Sequence, residues 1–489
     1  MSEFTSMSMS ELSLRLADGT KLLVPPSLES ITTYVVLEQE AWFEKEAAFL
    51  AHWLRPGMTV IDIGANLGIY SLPSARQVAP GGNVFAYEPA SEPRAMLSRS
   101  GVLNGTTNLH VIAAAVSDSN RKGRLTLGTS SELNALDAGG HGEDVQVTSL
   151  DIEDGARGWG AVDFVKIDAE GQEVRILEGG RRFFERHSPL VMFEIKTDVG
   201  NHEHLRRAFP LPGYRLYRSL PGAPLLVPDD PTKPLDGFEF NMFAAKSDRS
   251  AELARLGLLV ETVPTWAPDG TARSNLRGQA LPFLSSASFD GVDPSYLNGL
   301  AGYATWRSPE LPAPQRYAAL EAACAILFNL CRRAATPPRL STLARALGDA
   351  GHRIASVDAL MQLTARLSQG ARCVGEPFWP ANPRFEATTP GQDWAERFEA
   401  SCLEQAERSV SYSSCFGGKS GVDLDQLSRR PGVSVEIDRR RTLRSARAGR
   451  RTDVPPRLCV ASADHVNADV WRAGLVPNTM SPHAMTADP

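Results

Sequence analysis

Residues 60–68, Val-Ile-Asp-Ile-Gly-Ala-Asn-Leu-Gly, constrain this chain more than any other stretch. A short apolar run carrying an acidic residue near its end reads as a buried strand. The Gly64–Gly68 turn that follows lets backbone approach a ligand without Cβ clashes. A helix then runs to about Val78. Strand, glycine turn and helix in this order open a nucleotide-binding α/β sheet, in which ligands sit beyond the carboxyl ends of the strands at a topological switch point.

The same rhythm continues. Residues 83–87 read as a strand, 92–103 as a helix and 109–115 as a strand. After a polar stretch at 117–144 come short strands at 145–148 and 162–167, a helix at 172–185 and an apolar strand at 190–195. Short apolar strands alternating with helices predict a mostly parallel sheet covered on both faces. Residues 214–220 and 238–245 are separated only by a loop, which predicts a terminal antiparallel pair. Upstream, residues 12–24 alternate around Asp18-Gly19 and read as a hairpin. Residues 38–53 read as one helix with Trp42, Phe43, Phe49, Leu50 and Trp53 on a partial apolar face, stopped by Arg55-Pro56-Gly57.

Beyond residue 247 the pattern changes. Residues rich in Pro, Gly and Ser read as a linker with some packed pieces. Three helical stripes follow: Tyr317, Leu320, Cys324, Leu327 and Cys331; then Ile354, Val357, Leu360, Met361 and Leu367; then Trp394, Phe398 and Cys402. Residues 439–451 hold seven Arg in thirteen and read as a solvated tail, with binding to an anionic partner such as a membrane or nucleic acid as the alternative. The expected division is 1–58 (hairpin and leading helix), 59–247 (α/β domain), 248–315 (linker), 316–415 (α-helical domain) and 416–489 (disordered Arg-rich tail).

Composition removes several function classes. Of 489 residues 42% are hydrophobic and 22% charged, so the chain is globular, not disordered. Lys+Arg number 51 against 57 Asp+Glu, a net charge of −6, so no global basic footprint for nucleic acid exists and no specific nucleic-acid partner is expected. The opening stretch MSEFTSMSMSELSL carries two Glu and neither a basic nor an apolar region, so no secretory signal is expected, and the chain has no apolar run of about 18 residues. A cytoplasmic protein without a transmembrane segment is the expectation. The six cysteines show no CxxC spacing, and free thiols are expected. His202 and His204 stand two apart and share no helix face, so no metal is expected there.

Charge narrows the ligand. Glu88 ends the second sheet strand, 26 residues after Asp62, where an acidic residue accepts ribose hydroxyls. A pyrophosphate needs a G-x-G-x-x-G turn and would be repelled by Asp62. A cofactor with an ammonium and a sulfonium, S-adenosyl-L-methionine, suits that carboxylate better. Asp168, in Asp-Phe-Val-Lys-Ile-Asp-Ala-Glu-Gly-Gln-Glu at 163–173, ends a strand that would place it in the same cleft, facing an acceptor. Capping the next helix is the lesser alternative that also explains the residue type at Asp168.

In order, VIDIGANLGIYSL, VFAYEP, AAVSD, VTSLD, DFVKIDAEGQE and VMFEI resemble the FkbM-type S-adenosylmethionine-dependent methyltransferases. The resemblance covers about residues 30–246. It implies a Rossmann-like methyltransferase sheet, mostly parallel with an antiparallel last strand, followed here by a C-terminal α-helical domain. It also implies methyl transfer to a hydroxyl oxygen of a small-molecule or glycan acceptor, a sugar or a secondary metabolite. By motif, Asp62, Gly64, Asn66 and Gly68 would hold the methionine end of the cofactor and Glu88 its ribose. Val116 and Ser117 would lie along the adenine. Asp168 would face the methyl group, supported by Glu170. The segment with Glu40, Trp42 and Glu44 would close over the cofactor, and residues 131–134 would lie near substrate. A nicotinamide-dependent oxidoreductase and a non-catalytic binding module on a methyltransferase scaffold remain the alternatives.

Overall fold

Alternation in residues 12–24 places Leu12, Leu14, Leu22 and Val24 on one buried face, and the hairpin forms as expected. β1 (Leu12–Arg15) pairs antiparallel with β2 (Lys21–Val24), Leu12 opposite Val24. In the computed structural model the described residues are 11–480, apart from 129, 137–141, 196–204, 208, 269–275, 277–288, 388–392, 418–419 and 478. His202 and His204 therefore lie outside the described residues.

The predicted leading helix is two helices, α1 (Ile31–Gln39) and α2 (Glu46–Trp53). Glu40 ends α1 in a left-handed conformation, φ 57°, with its N–H on the Val36 carbonyl. The 40–45 segment so freed turns Trp42, Phe43 and Glu44 toward the sheet instead of round a helix.

The α/β rhythm becomes an eight-stranded sheet. Its first strands are β3 (Thr59–Ile63), β4 (Asn83–Tyr87) and β5 (Leu109–Ile112), with α3 (Ser71–Val78) and α4 (Ser91–Leu103) between them. The polar stretch at 117–144 is not merely a loop. It helps build a second, four-stranded sheet from β6 (Ala115–Val116), β7 (Arg121–Thr126), β8 (Ala135–Leu136) and β9 (Gly142–Thr148). α5 (Leu150–Arg157) leads back to β10 (Phe164–Ile167). The helix expected at 172–185 is divided at Gly180 into α6 (Glu173–Gly179) and α7 (Arg181–His187). β11 (Leu190–Glu194), β12 (Arg215–Ser219), β13 (Leu226–Pro228) and β14 (Asn241–Ala245) complete the main sheet.

The strand order is β13-β12-β14-β11-β10-β3-β4-β5. Strands β11, β10, β3, β4 and β5 are parallel, and β14 runs antiparallel to β11. This is the mostly parallel α/β sheet that the periodicity predicts, in the Rossmann-like arrangement with an antiparallel last strand that the family resemblance implies. The chain leaves β3 toward β4 and β5, then returns to place β10 on its other side. The switch point therefore lies between β3 and β10.

The C-terminal stripes form helices Ala313–Cys331, Arg353–Ser368 and Trp394–Ser409, with a further one at Pro337–Asp349. The expected linker contains helices Ser247–Arg255 and Pro294–Trp306. Tyr296, Leu300 and Tyr303 give the second an apolar face that its glycines obscured, and all three are buried. Phe378, Trp379 and Phe385 are buried as well. All six cysteines are free.

The tail reading needs correction. Arg439–Arg447 belong to a helix, Val435–Arg447, which packs one face against the protein and leaves Arg441, Arg444 and Arg447 partly exposed on the other. Arg439 and Arg440 keep 3% and 2% of their side chains exposed, and ion-pair with Glu40 at 3.4 Å and Glu38 at 3.2 Å. Buried partners on α1 and beside it, 400 residues away in sequence, are what a local charge count cannot register. One apolar core joins Leu14, Leu22 and Tyr34 to Leu443, Trp471 and Val476. Another joins Leu225 and Val227 to the C-terminal helices. Among the described residues no helix is long and apolar enough to cross a membrane.

Candidate active site

Lys166 lies opposite Asp62 in the β10–β3 register, so both side chains project to one face of the sheet. Asp168 follows where β10 ends, its N–H on the Ile63 carbonyl at 3.1 Å. The Lys166 Nζ stands 2.9 Å from Asp168 Oδ2 and 3.9 Å from Asp62 Oδ1. Asp62 is sealed, at 2% exposure, and Asp168 is open, at 35%. The Tyr70 ring lies 5.0 Å from the ammonium, and the Tyr70 hydroxyl donates to Glu44.

Burial alone would favour a neutral lysine. Asp168, Asp62 and Glu44 more than offset it and hold Lys166 protonated, well above the usual lysine range. Burial pushes the Asp62 and Glu44 carboxyls up. Three carboxyls around one ammonium leave the site short of positive charge.

These groups face a cavity of about 290 Å³ beyond the carboxyl ends of the strands. Asp62, Gly64, Asn66, Glu88, Val116, Asp168 and Glu170 all line it. Glu88 accepts the Asn66 N–H on one oxygen and the Ala90 N–H on the other, both at 2.8 Å. Its burial pushes the carboxyl up to about 7. Asn66 and Glu170 both adopt left-handed backbone, φ 46°.

Gly68 and Ser117 do not line the cavity. A Cβ on Gly68 would come within 2.3 Å of Leu97 Cδ1, so this glycine lets the turn pack on α4. The Ser117 hydroxyl is buried and donates to Gln172, which does reach the cavity, at 2.9 Å. A Cβ on Gly64 would fall 1.7 Å from the Asp168 carbonyl oxygen. The close approach that Gly64 permits therefore includes the protein's own β10 end.

Several lining residues carry no local motif: Ile31 and Thr32 of α1, Lys166, Glu194, Phe240 and Phe416. Lys166 sits inside the quoted KIDAEG run but reads there as an interior strand residue. Trp42 and residues 131–134 also line the cavity. Glu132 accepts from the Thr32 N–H at 3.0 Å and ties that turn to α1. Asp168, Glu170 and Glu194 each offer a carboxylate oxygen within 4.8 Å of the others. Asp168 already has Lys166 as its cation.

Residues 62–216 match the family described as Methyltransferase FkbM domain. The chain carries an FkbM-type methyltransferase domain. It is 30% identical to 31-O-demethyl-FK506 methyltransferase FkbM of Streptomyces tacrolimicus over 26% of this chain and 60% of that protein. The chain thus spans less than two thirds of that relative. A methyltransferase FkbM structure from Methylobacillus flagellatus KT is similar at 17% identity and TM-score 0.27, over 38% of this chain and 43% of that one. A SAM-dependent O-methyltransferase from Thermotoga maritima is similar at 18% and TM-score 0.24, over 48% and 77%.

S-adenosyl-L-methionine is the cofactor that a match to this methyltransferase family implies. The residues present fit it. Asp62 Oδ1 and Asn66 Oδ1 are buried on lining residues without a hydrogen-bond partner. Buried polar atoms are rarely left so, and an ammonium donor would satisfy both. The shortage of positive charge suits a sulfonium and an ammonium.

Proposed function

We propose that this chain transfers a methyl group from S-adenosyl-L-methionine to a hydroxyl oxygen of a small-molecule or glycan acceptor. One observation carries the reading: a sealed carboxylate, Asp62, and an open one, Asp168, are joined through Lys166 at the switch point of the sheet. The first suits a cationic cofactor and the second an incoming acceptor.

When bound, the cofactor supplies an electrophilic methyl group on a sulfonium. Asp62 and Asn66 hold its amino-acid end. Glu88, fixed by two backbone N–H groups, accepts the ribose hydroxyls. Val116 packs along the adenine, and Ser117 acts only through Gln172. Lys166 orients Asp168 through Oδ2, which leaves Oδ1 to accept the acceptor's hydroxyl proton. Glu170 flanks it at the rim. Positioning of this kind contributes up to about 7–11 kcal/mol in favourable systems, and a placed base about 10²–10⁴-fold. Gly68 supports the turn from behind and makes no ligand contact in this reading.

The antiparallel β14 and the carboxylates beside the glycine turn speak against the nicotinamide alternative. A pure scaffold would have no use for the desolvation cost of Asp62 and Glu88. Thermal unfolding with S-adenosylhomocysteine, with NAD as control, tests the proposal. At a hundredfold excess over its Kd a native-state ligand adds about 2.7 kcal/mol, which raises Tm by several degrees. A rise with NAD alone would overturn it.

A further inference from the structure

The cavity is unlike at its two ends. One part of its lining is charged, from the sealed Asp62, Glu88 and Lys166 to the open Asp168. Its outer wall is aromatic, and part of that wall comes from far beyond the methyltransferase domain. Phe416 lines the cavity although it lies well outside residues 62–216. Its ring meets Phe43 edge-on, centroids 5.5 Å apart, and 48% of the residue is exposed.

The Phe416 loop is held in place from several sides. The Ser414 N–H and hydroxyl both donate to the buried Glu38. The Tyr34 hydroxyl lies 2.9 Å from Ser414 Oγ. Gln39 Nε2 donates to the Tyr412 carbonyl at 2.5 Å, and Arg447 to the Cys415 carbonyl at 2.7 Å. Behind it, the Tyr412 ring packs 5.1 Å from Phe43 and 4.5 Å from Phe240, with the Arg353 guanidinium 4.3 Å from its centroid. A large apolar ring, rigidly presented and half uncovered at the rim of a cavity, is a preformed contact surface. Little ordering cost remains when something covers it.

We infer that Phe416 is an acceptor-contacting residue that sets specificity, and that the acceptor carries its hydroxyl on a flat apolar ring system. This rests on the methyltransferase reading above. The C-terminal half then has a direct part in the reaction: it supplies one wall of the acceptor end, while the FkbM-type domain supplies the cofactor end.

The test uses the full chain saturated with S-adenosylhomocysteine, which fills the cofactor end and leaves the acceptor end open. 2-Naphthol and methyl α-glucoside are titrated in by calorimetry. Saturable 2-naphthol binding is expected, with weaker or no methyl glucoside binding. Phe416→Ala should weaken naphthol about tenfold, the loss expected when one aromatic pair is removed. Phe416→Trp should retain it, and both variants should bind S-adenosylhomocysteine within twofold of wild type. Naphthol binding that is absent, or indifferent to Phe416→Ala, overturns the inference, as does tighter binding of methyl glucoside. A parallel loss of S-adenosylhomocysteine affinity in Phe416→Ala also overturns it, because Phe416 would then serve the cofactor end. If the wild type fails to bind S-adenosylhomocysteine at all, the methyltransferase reading itself falls.

Discussion

At the scale of single residues, the two carboxylates on either side of Lys166 have separable jobs. Asp168→Asn keeps the shape of the side chain but removes the proton acceptor. S-adenosylhomocysteine affinity should therefore change little, while turnover falls by about 10²-fold or more. Calorimetry on the variant, with a methyl-transfer assay, checks both halves, and wild-type turnover would remove Asp168 from the chemistry. Glu88 gives a pH signature. Its buried carboxyl titrates near 7, so it is neutral below that pH and ionised above it. Ribose hydroxyls donate to a carboxylate more strongly than to the neutral acid. Ligand binding then favours the deprotonated form, and affinity for S-adenosylhomocysteine should rise as pH rises through 7. The gain is at most about tenfold per pH unit below 7, and affinity levels off above it. Glu88→Gln should flatten the profile and Glu88→Ala should raise Kd at every pH. A wild-type affinity that falls with rising pH would remove Glu88 from the ribose site. Residues of this kind were legible because their types announce them: an acid at a strand end, a glycine at a left-handed turn. Lys166 was not, since an interior strand lysine reads as a break in an apolar run. Its meaning comes from facing Asp62 across the β10–β3 register.

At the scale of elements, the strands and the glycine turn were readable because period-2 and period-3.6 patterns are local. What failed to read was decided by partners distant in sequence. The break at Glu40 is one case. Burial raises its carboxyl, but His465 and Arg439, with the Val466 and Asn467 N–H groups, outweigh that and draw it below the usual range. None of these partners is within 390 residues of it. The helix Val435–Arg447 is the other case, and it carries a test. Arg440, 2% exposed, pairs with the fully buried Glu38 and with Glu436 at 3.0 Å. Arg441, 30% exposed, pairs with the exposed Asp425 at the same distance. Breaking a buried pair by removing one partner costs about 3–5 kcal/mol, whereas an exposed pair contributes about 0–1. Arg440→Ala should therefore lower the urea midpoint far more than Arg441→Ala. Equal shifts would mean that the helix is solvated after all. Arg440→Met combined with Glu38→Gln should recover part of the loss, because Glu38 is then neutral and Glu436 keeps Arg408 at 3.3 Å.

At the scale of the whole molecule, the FkbM-type domain does not end where its sequence match ends. Leu443, Trp471 and Val476 complete a core that begins at Leu12, and the C-terminal helices share another with Leu220, Leu225 and Val227, in and beside β13. Among the described residues, Glu38 and Glu40 find their cationic partners in the last sixty residues or so. A chain cut at residue 247 would keep the sheet, the glycine turn and every cofactor-facing carboxylate. It would nevertheless expose the apolar face of the hairpin and α1, and leave two buried glutamates without their partners. The cut fragment should therefore show no cooperative thermal transition at temperatures where the full chain is folded. S-adenosylhomocysteine should fail to rescue it, since about 2.7 kcal/mol of ligand stabilisation is smaller than the loss of even one such buried pair. Adding residues 248–489 as a separate chain should restore both the transition and ligand binding, because the missing contacts are non-covalent. Circular dichroism melts of the fragment, alone and with its complement, decide the matter. A fragment that melts cooperatively and binds S-adenosylhomocysteine as tightly as the full chain would show the C-terminal half to be an appendage, and the shared cores to contribute little.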